Sequence, residues 1–335
     1  MDNMFSDALG QLLAEQCTPA VVRQIEGGAD AAALWAQIAE SGFADALVPE
    51  SADGAGMVLK DACALWELIG RHALPLPLAE TMLVRGWLAQ AGASLPEGAI
   101  AMAPRARQAG GQVSAVGVRC AKVAQWVAVE LGGETRLLAA AAASQTPAVF
   151  PLDAGLSWPE AVWTAAPVVP GAGDLQVAQA MVYAALLSGA LMTCFERTLQ
   201  FANERQQFGR PIGKFQIIQH ELAQISEHAF SSRMAAQIAC ESRTLTPDPV
   251  RVAVGKARTS EAVVVVADFS HSIHGAIGFT AEFDLQLYTR RLHHWRVTAG
   301  SESHWHDVAG EALLADPSPL ALDLIRRVSD AEASV

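Results

Sequence analysis

The chain has 335 residues, 51% of them hydrophobic and 17% charged; that balance excludes a disordered polypeptide and provides for two or three packed subdomains. Its 23 Lys and Arg against 35 Asp and Glu give a net charge of −12, the wrong sign for a surface that holds nucleic acid through its phosphates. A mean hydropathy of +0.23 is high for a chain in water, and it has three sources to choose among: membrane spans, an Ala/Val-rich helical interior, or apolar surface covered by a partner.

No uninterrupted apolar run approaches the roughly 18 residues of a membrane span. Residues 263–267 are bounded by Glu261 and Asp268, and residues 137–143 are short. The N-terminus, through Asp7, is acidic and lacks the basic stretch of a signal peptide. Cys17, Cys63, Cys120, Cys194 and Cys240 are odd in number, far apart and without a CxxC. They predict buried thiols in a reducing cytoplasm rather than a disulfide framework or a zinc site.

In chain order, residues 1–98 read as helical. A strong helix former at 31–40 ends at Ser41-Gly42, and 61–72 spaces Ala62, Leu65, Trp66 and Ile69 helically before Pro75 and Pro77. The helix resumes at 78–91. Residues 99–173 change character. Stretches 113–118, 126–131 and 135–140 are short and β-prone, and Gly110-Gly111 and Gly132-Gly133 separate them as turn signals. Pro147, Pro151, Pro159, Pro167 and Pro170 are expected to keep helices out, and Trp126 and Trp163 read as core residues. From Asp174, an N-cap, a helix runs towards Glu204. A second covers 215–243. Asp248-Pro249 caps and starts a third that stops at Gly275. Thr280 is placed to cap a fourth over 281–299, Gly300-Ser301 breaks it, and a fifth reaches 315. Helices apolar on nearly all sides are buried among other helices. The expected fold is mostly α with a small central β domain: an N-terminal helical domain (1–98), a β domain (99–173) and a C-terminal antiparallel four-helix bundle (174–335).

The sharpest segment runs from Arg205 through Gln-Gln-Phe208-Gly209-Arg-Pro-Ile212-Gly-Lys-Phe215 to Gln216. Here a long helix ends, a Gly/Pro turn follows and a new helix starts. Arg205 can point a guanidinium fork outward, suited to a diphosphate. Phe208 offers a flat face and Gln216 an amide. About 70 residues on lies His274-Gly275-Ala276-Ile277-Gly278-Phe279-Thr280, whose small residues let main-chain amides approach phosphate. It does not follow a strand, so a Rossmann reading fails. Together these resemble two motifs of the acyl-CoA dehydrogenase family, Arg-x-x-Phe-Gly-x-x-Ile-x-x-Phe-Gln and Gln-x-His-Gly-Gly-x-Gly-Phe-Thr. Tyr288-Thr289-Arg290-Arg291 resembles the Arg-bearing helix that follows, and Ser41-Gly42-Phe43, Val48-Pro49-Glu50 and Glu80-Thr81 resemble the family's N-terminal domain. The resemblance implies the helical–β–helical fold. It also implies FAD as cofactor, with Arg205, Phe208, Gln216, His274, Gly275, Ala276 and Gly278 on its ADP part, and an acyl-CoA substrate.

Three departures narrow this. The family's catalytic Glu, in a Glu-Gly-Thr string, falls on Ala299-Gly300-Ser301. The alternative position of the base, 26 residues before the flavin-contacting Arg, is Gln179; neither Ala nor Gln serves as a carboxylate base. Glu302, three residues past Ala299, is the nearby substitute, and as a structural residue it reads as a solvated or capping Glu. The stretch from Met102-Ala-Pro104 to Gly111 lacks the family's ring-holding segment; Trp126 and Trp163 are the rings that could stack on a flavin, beside their reading as core residues. Ser272 replaces the Gln of the second motif. In the family each flavin is shared between subunits, and this chain keeps the half that reaches to a neighbour. It therefore resembles the shorter, base-lacking subunit of the heterotetrameric (α2β2) acyl-CoA dehydrogenases of bacterial steroid side-chain degradation. A longer partner chain would carry the Glu. Two other functions stand beside this: a self-sufficient homomeric dehydrogenase using Glu302, and a non-enzymatic acyl-CoA or partner-binding protein on the same scaffold.

Other clusters are less specific. His304 and His306 are two apart and diverge on a helix, while His271 and His274 have ligand spacing but fall in the flavin-loop match, so no metal site is expected. Arg290, Arg291 and Arg296 read as ion-paired surface residues, with CoA phosphates as the alternative. Leu187-Ser188-Gly189 is no nucleophile elbow.

Overall fold

The computed structural model describes residues 2–318 and 320–330, which divide into two compact units. The first draws on residues up to 65, on 74–182 and on 242–247. It opens with helices α1 (Asp2–Gln16), α2 (Pro19–Glu26) and α3 (Ala32–Glu40), then the start of α4 (Leu59–Arg71) and all of α5 (Leu78–Gln90). Thr18 caps α2 by accepting from the Val21 amide, and Pro19 takes the first position, where its missing N–H costs nothing. Helix α5 is buried almost throughout, and the Trp87 indole donates to the Leu245 carbonyl at 3.0 Å.

Strands β1 (Ile100–Ala103), β2 (Arg107–Ala109), β3 (Gln112–Val118), β4 (Trp126–Leu131), β5 (Glu134–Ala139), β6 (Ser144–Pro147) and β7 (Ala154–Pro159) follow. They form two sheets, ordered β1-β4-β5 and β2-β3-β7-β6. Only β1 and β4 pair in parallel. The sheets' alternating apolar residues meet around Trp158, which is fully buried and donates its indole N–H to the Ala139 carbonyl at 2.9 Å. Prolines did not keep helices out: α6 (Glu160–Ala165) starts directly after Pro159, which stands at the N-cap, ahead of the helical hydrogen bonds that a proline would break. The core tryptophan is Trp158, whereas Trp126 and Trp163 lie half-buried at the margin, the latter under the Arg136 guanidinium at 5.4 Å.

The second unit comprises residues 66–73, 183–241 and 248 onward. It contains most of α7 (Leu175–Glu204), the two-residue strands β8 (Gln206–Gln207) and β9 (Arg210–Pro211), α8 (Gln216–Cys240), α9 (Pro249–His274), α10 (Leu285–Val297), α11 (Glu302–Ala315) and α12 (Ala321–Ser329). Asp174 caps α7 by accepting from the Gln176 and Val177 amides, and Asp248 caps α9 by accepting from those of Val250 and Arg251. Helix α9 is the axis of the unit and packs against α8, α10 and α11. Where α4 meets α7, Gly189 is indispensable: a Cβ there would lie 1.9 Å from the Glu67 carbonyl oxygen. Thr280 does not cap a helix. Its hydroxyl donates back to the Ile277 carbonyl, and α10 begins only at Leu285.

Two helical stretches are long and apolar enough to cross a membrane, contrary to the count of uninterrupted runs. The isolated Ser, Thr, Gly and Gln residues that interrupt those runs do not interrupt a helix. The apolar window of α7 is wholly buried in the protein, and that of residues 249–279 is 44% buried, so interior packing accounts for the first and part of the second.

Candidate functional site

Helix α7 closes with the Arg205 amide on the Phe201 carbonyl (2.9 Å), and the Ile212 amide returns to the Arg205 carbonyl (2.8 Å). Between them β8 and β9 make a hairpin whose loop is Phe208-Gly209, at φ 52° and 79°. Two positive φ values define the primed turn that suits a two-residue hairpin, normally built from Asn and Gly. A phenylalanine there carries steric strain, and its ring stands 91% exposed, touching Phe215 only edge-on at 6.0 Å. The Arg210 guanidinium covers the Phe215 ring at 4.3 Å, a cation–π contact that braces the turn. Arg205 and Gln216 are exposed and make no side-chain hydrogen bond or ion pair among the described residues. In a chain of net charge −12, Arg205, Arg210 and Lys214 form a local cationic projection.

The second motif sits at the other end of α9. Gly275 has φ 64° and ψ −149°, a region open essentially to glycine alone. A Cβ there would meet nothing within 4 Å, so its backbone faces open space. Ala276 and Ile277 are exposed beside it. His274 and Gly278 face inward instead. The His274 ring, 5% exposed, stacks on Phe201 at 4.3 Å and tilts against Phe283 at 5.1 Å. Its Nδ1 donates to the Ser270 carbonyl at 2.7 Å, while Nε2 is buried without a partner. Burial holds the imidazole below its ordinary pKa, that is, neutral. Gly278 is closed in, since a Cβ added there would lie 3.0 Å from the His274 Cβ. Phe201, one turn before Arg205, thus couples the hairpin to the glycine loop through His274. The signal for it in the sequence is an aromatic residue four positions before the Arg.

The turn after α10 is closed rather than open. Ala299 adopts φ 57° and Gly300 φ 115°. The fully buried Lys256 ammonium donates to the Arg296, Gly300 and Trp295 carbonyls at 2.7, 3.2 and 3.3 Å, and to the Ser260 hydroxyl at 2.7 Å. Glu302, at the first position of α11, is gripped by both arms of the Arg296 guanidinium. That hydrogen bond holds its carboxyl below the usual carboxylate range. Glu302 is therefore not freely solvated, its carboxylate also accepts a backbone amide in the first turn of α11, and a carboxylate stabilised in its charged form is a weak base. Gln179 is buried in the first unit, where its amide donates to the Met102 carbonyl at 3.3 Å. In that stretch the Ala106 amide is likewise taken up by the Glu130 carbonyl at 2.9 Å.

Of the three arginines, Arg296 has the expected form of ion pair, with Glu302. Arg291 is buried and donates to the Leu287 carbonyl of its own helix. His306 lies 3.2 Å from Glu261, and His304 packs on Trp305. No group of three potential metal ligands occurs among the described residues.

Family models agree with this arrangement on either side of the β-rich stretch: the acyl-CoA dehydrogenase N-terminal domain matches residues 2–94, and the C-terminal domain residues 174–314. The acyl-CoA dehydrogenase IpdE2 of Mycobacterium tuberculosis is 31% identical over 87% of this chain and 90% of that protein. Among solved structures, the ChsE4-ChsE5 complex of Mycobacterium tuberculosis superposes with a TM-score of 0.78 at 19% identity, covering 95% of this chain and 98% of the other. The Tcur3481-Tcur3483 steroid ACAD G363A variant gives 0.77 at 23% identity, covering 93% and 97%. On the matched domains, the full-length relative and the shared fold, the chain belongs to the acyl-CoA dehydrogenase family.

Proposed function

We propose that this chain is the base-lacking subunit of a heteromeric, FAD-dependent acyl-CoA dehydrogenase, and that it lends its cationic hairpin to a flavin whose ring is held by a partner chain. The observation that carries the reading is an asymmetry. The ADP-side groups stand open, with an unpaired Arg205, an exposed Phe208 in a strained turn and a Gly275 backbone that a side chain would cover. The positions of the base are filled by Ala299 and by the hydrogen-bonded Gln179. The two structural relatives described above, both complexes or paired chains by their descriptions, support a partner of the same fold.

The residues present fit the diphosphate end of FAD. Arg205 offers a fork to the anion, Gly275 and Ala276 offer main chain without side-chain bulk, and Phe208 and Gln216 offer a ring face and an amide. When bound, the flavin supplies hydride acceptance in desaturation of an acyl-CoA thioester. The partner's carboxylate removes the proton from Cα. This chain's own part is to bind and orient. By analogy with the steroid relative, the substrate class is a bulky, ring-bearing CoA thioester.

Co-expression with a longer acyl-CoA dehydrogenase chain that carries an intact Glu tests the reading. The chain alone is expected to purify colourless and inactive, and the pair to be yellow and active. Arg205→Met should strip flavin from the pair without changing the fold of the chain. A yellow, active protein made from this chain alone would overturn the reading in favour of a homomeric enzyme.

A further inference from the structure

Among residues 275–280 of the glycine loop, Gly278 alone is buried. A Cβ on Gly278 would lie 3.2 Å from His271 Nδ1 and 3.2 Å from the Leu285 side chain. The next residue, Phe279, is 69% exposed and stacks on the His271 ring at 4.1 Å and 15°. One imidazole on α9 thus meets the loop at both of these successive residues.

Hydrogen bonding fixes the state of that imidazole. Its Nε2 lies 2.9 Å from the Thr289 hydroxyl oxygen, and the Thr289 proton goes to the Leu285 carbonyl. Nε2 therefore carries the ring proton and donates it to Thr289. Nδ1 is left as a bare acceptor, buried without a hydrogen-bond partner among the described residues. A second proton would have to sit on Nδ1, against Gly278, and a buried N–H with nothing to meet it is unfavourable. Attraction between a charged imidazole and the Phe279 face would survive protonation, so the edge of the ring decides, not its face. The surrounding charges are mixed. On α9, Asp268 favours the charged ring and His274 lies one turn along; on α10, His293 opposes it and Arg290 borders the same space; Glu221 of α8 is engaged by the Ser272 hydroxyl. Burial prevails and holds the pKa of His271 below its ordinary value. A charged ring has somewhere to go: His271 lines a cavity of about 680 Å³ between α9 and α10, with Asp268 on its wall.

We propose that His271 is a proton-operated latch on the glycine loop. The neutral ring holds Gly278 and Phe279 against α9; a proton taken from solvent at Nδ1 turns the ring out towards Asp268 and frees both residues, so the loop loosens in mild acid. The latch is a property of this chain alone and does not depend on what the loop binds.

Hydrogen exchange of the full chain, read by mass spectrometry on peptides covering 275–283, tests it, with exchange times scaled to the chemical rate at each pH. A released ring titrates near the ordinary 6.5, and one proton can raise loop opening by at most about tenfold between pH 7.5 and 5.5. The expected rise is about three- to tenfold, with peptides from the interior of α7 unchanged as the control for global unfolding. His271→Phe keeps a ring for Phe279 but cannot titrate, and its loop should open equally at both pH values. His271→Gln, which keeps a donor for Thr289, should do the same and decides the matter where the control peptides show the first variant unfolded. The latch is overturned by loop exchange in the unaltered chain that does not change with pH, or that is already unprotected at pH 7.5. It is equally overturned by a pH dependence that persists in a folded variant, which would place the sensor elsewhere.

Discussion

The Arg205 hairpin and the Ala299 turn are built alike. Each reverses the chain after a long helix, and each places a non-glycine residue in the left-handed region before a glycine, Phe208-Gly209 and Ala299-Gly300. They differ in what surrounds them. At the hairpin the guanidinium of Arg205 and the amide of Gln216 make no hydrogen bond or ion pair among the described residues, and the exposed ring of Phe208 meets Phe215 edge-on. At the Ala299 turn a buried ammonium, a hydroxyl and a paired Arg and Glu take up the polar groups. Local strain marks function only where groups are left unsatisfied beside it; strain wrapped in a closed network is architecture.

The largest expected effect tests the closed network. Replacing Lys256 by Met leaves the Gly300 carbonyl without its donor and the Arg296 carbonyl with the Ser260 hydroxyl alone; each hydrogen bond from a charged group is worth about 1.5–3 kcal/mol. Urea unfolding should register a loss of about 3 kcal/mol or more. A loss below about 1 kcal/mol would show that the Ala299 turn holds itself. Next comes Gly275→Ala. No L side chain adopts its φ 64°, ψ −149° comfortably, so about 1–3 kcal/mol of strain is expected. Because nothing lies within 4 Å of the new methyl, the cause would be backbone conformation alone, and the same variant should weaken ADP binding.

A pH-dependent term of similar or smaller size comes from His274. Its pKa is lower in the folded protein than the ordinary 6.5, so the unfolded chain binds the extra proton first. The stability it contributes is present above about 6.5 and is lost as pH falls through that value towards the folded pKa, by at most about 1.4 kcal/mol per pH unit. His274→Phe keeps a ring against Phe201 and should flatten that slope in thermal melts between pH 7 and 5. An unchanged slope would move the titration to His271, whose pKa is also lowered by burial.

The sequence made helix starts legible where a capping side chain announced them, as at Asp174 and Asp248. It misled at Thr280, whose hydroxyl has a nearer carbonyl to satisfy. It also misled at Pro159, because a proline excludes a helix interior but not the N-cap ahead of it. In the candidate site, the motif strings located the arm but did not distinguish Gly275, which faces outward, from Gly278, which faces His274. Nor did they show that His274 is a strut rather than a surface group. Linear spacing records which residues share a segment, whereas burial depends on partners such as Phe201 and Phe283, distant in the chain.

The smallest expected effect separates the two turns most directly. Arg296 and Glu302 are each partly exposed, and such pairs are worth roughly 0.2–1 kcal/mol, so Glu302→Gln should destabilise the chain by under about 1 kcal/mol at neutral pH. Acid should do the same to the unaltered chain. The folded pKa of Glu302 lies below its ordinary 4.5, so the contribution is present above that value and is lost as pH falls through the folded one. In the two-chain enzyme proposed above, E302Q should leave the turnover number and its pH profile where they were, since a carboxylate held ionised by Arg296 has little affinity for a substrate proton. Loss of turnover with flavin still bound would mean that Glu302 touches the substrate, and the Ala299 turn would then be a catalytic element with its base displaced by one helical turn.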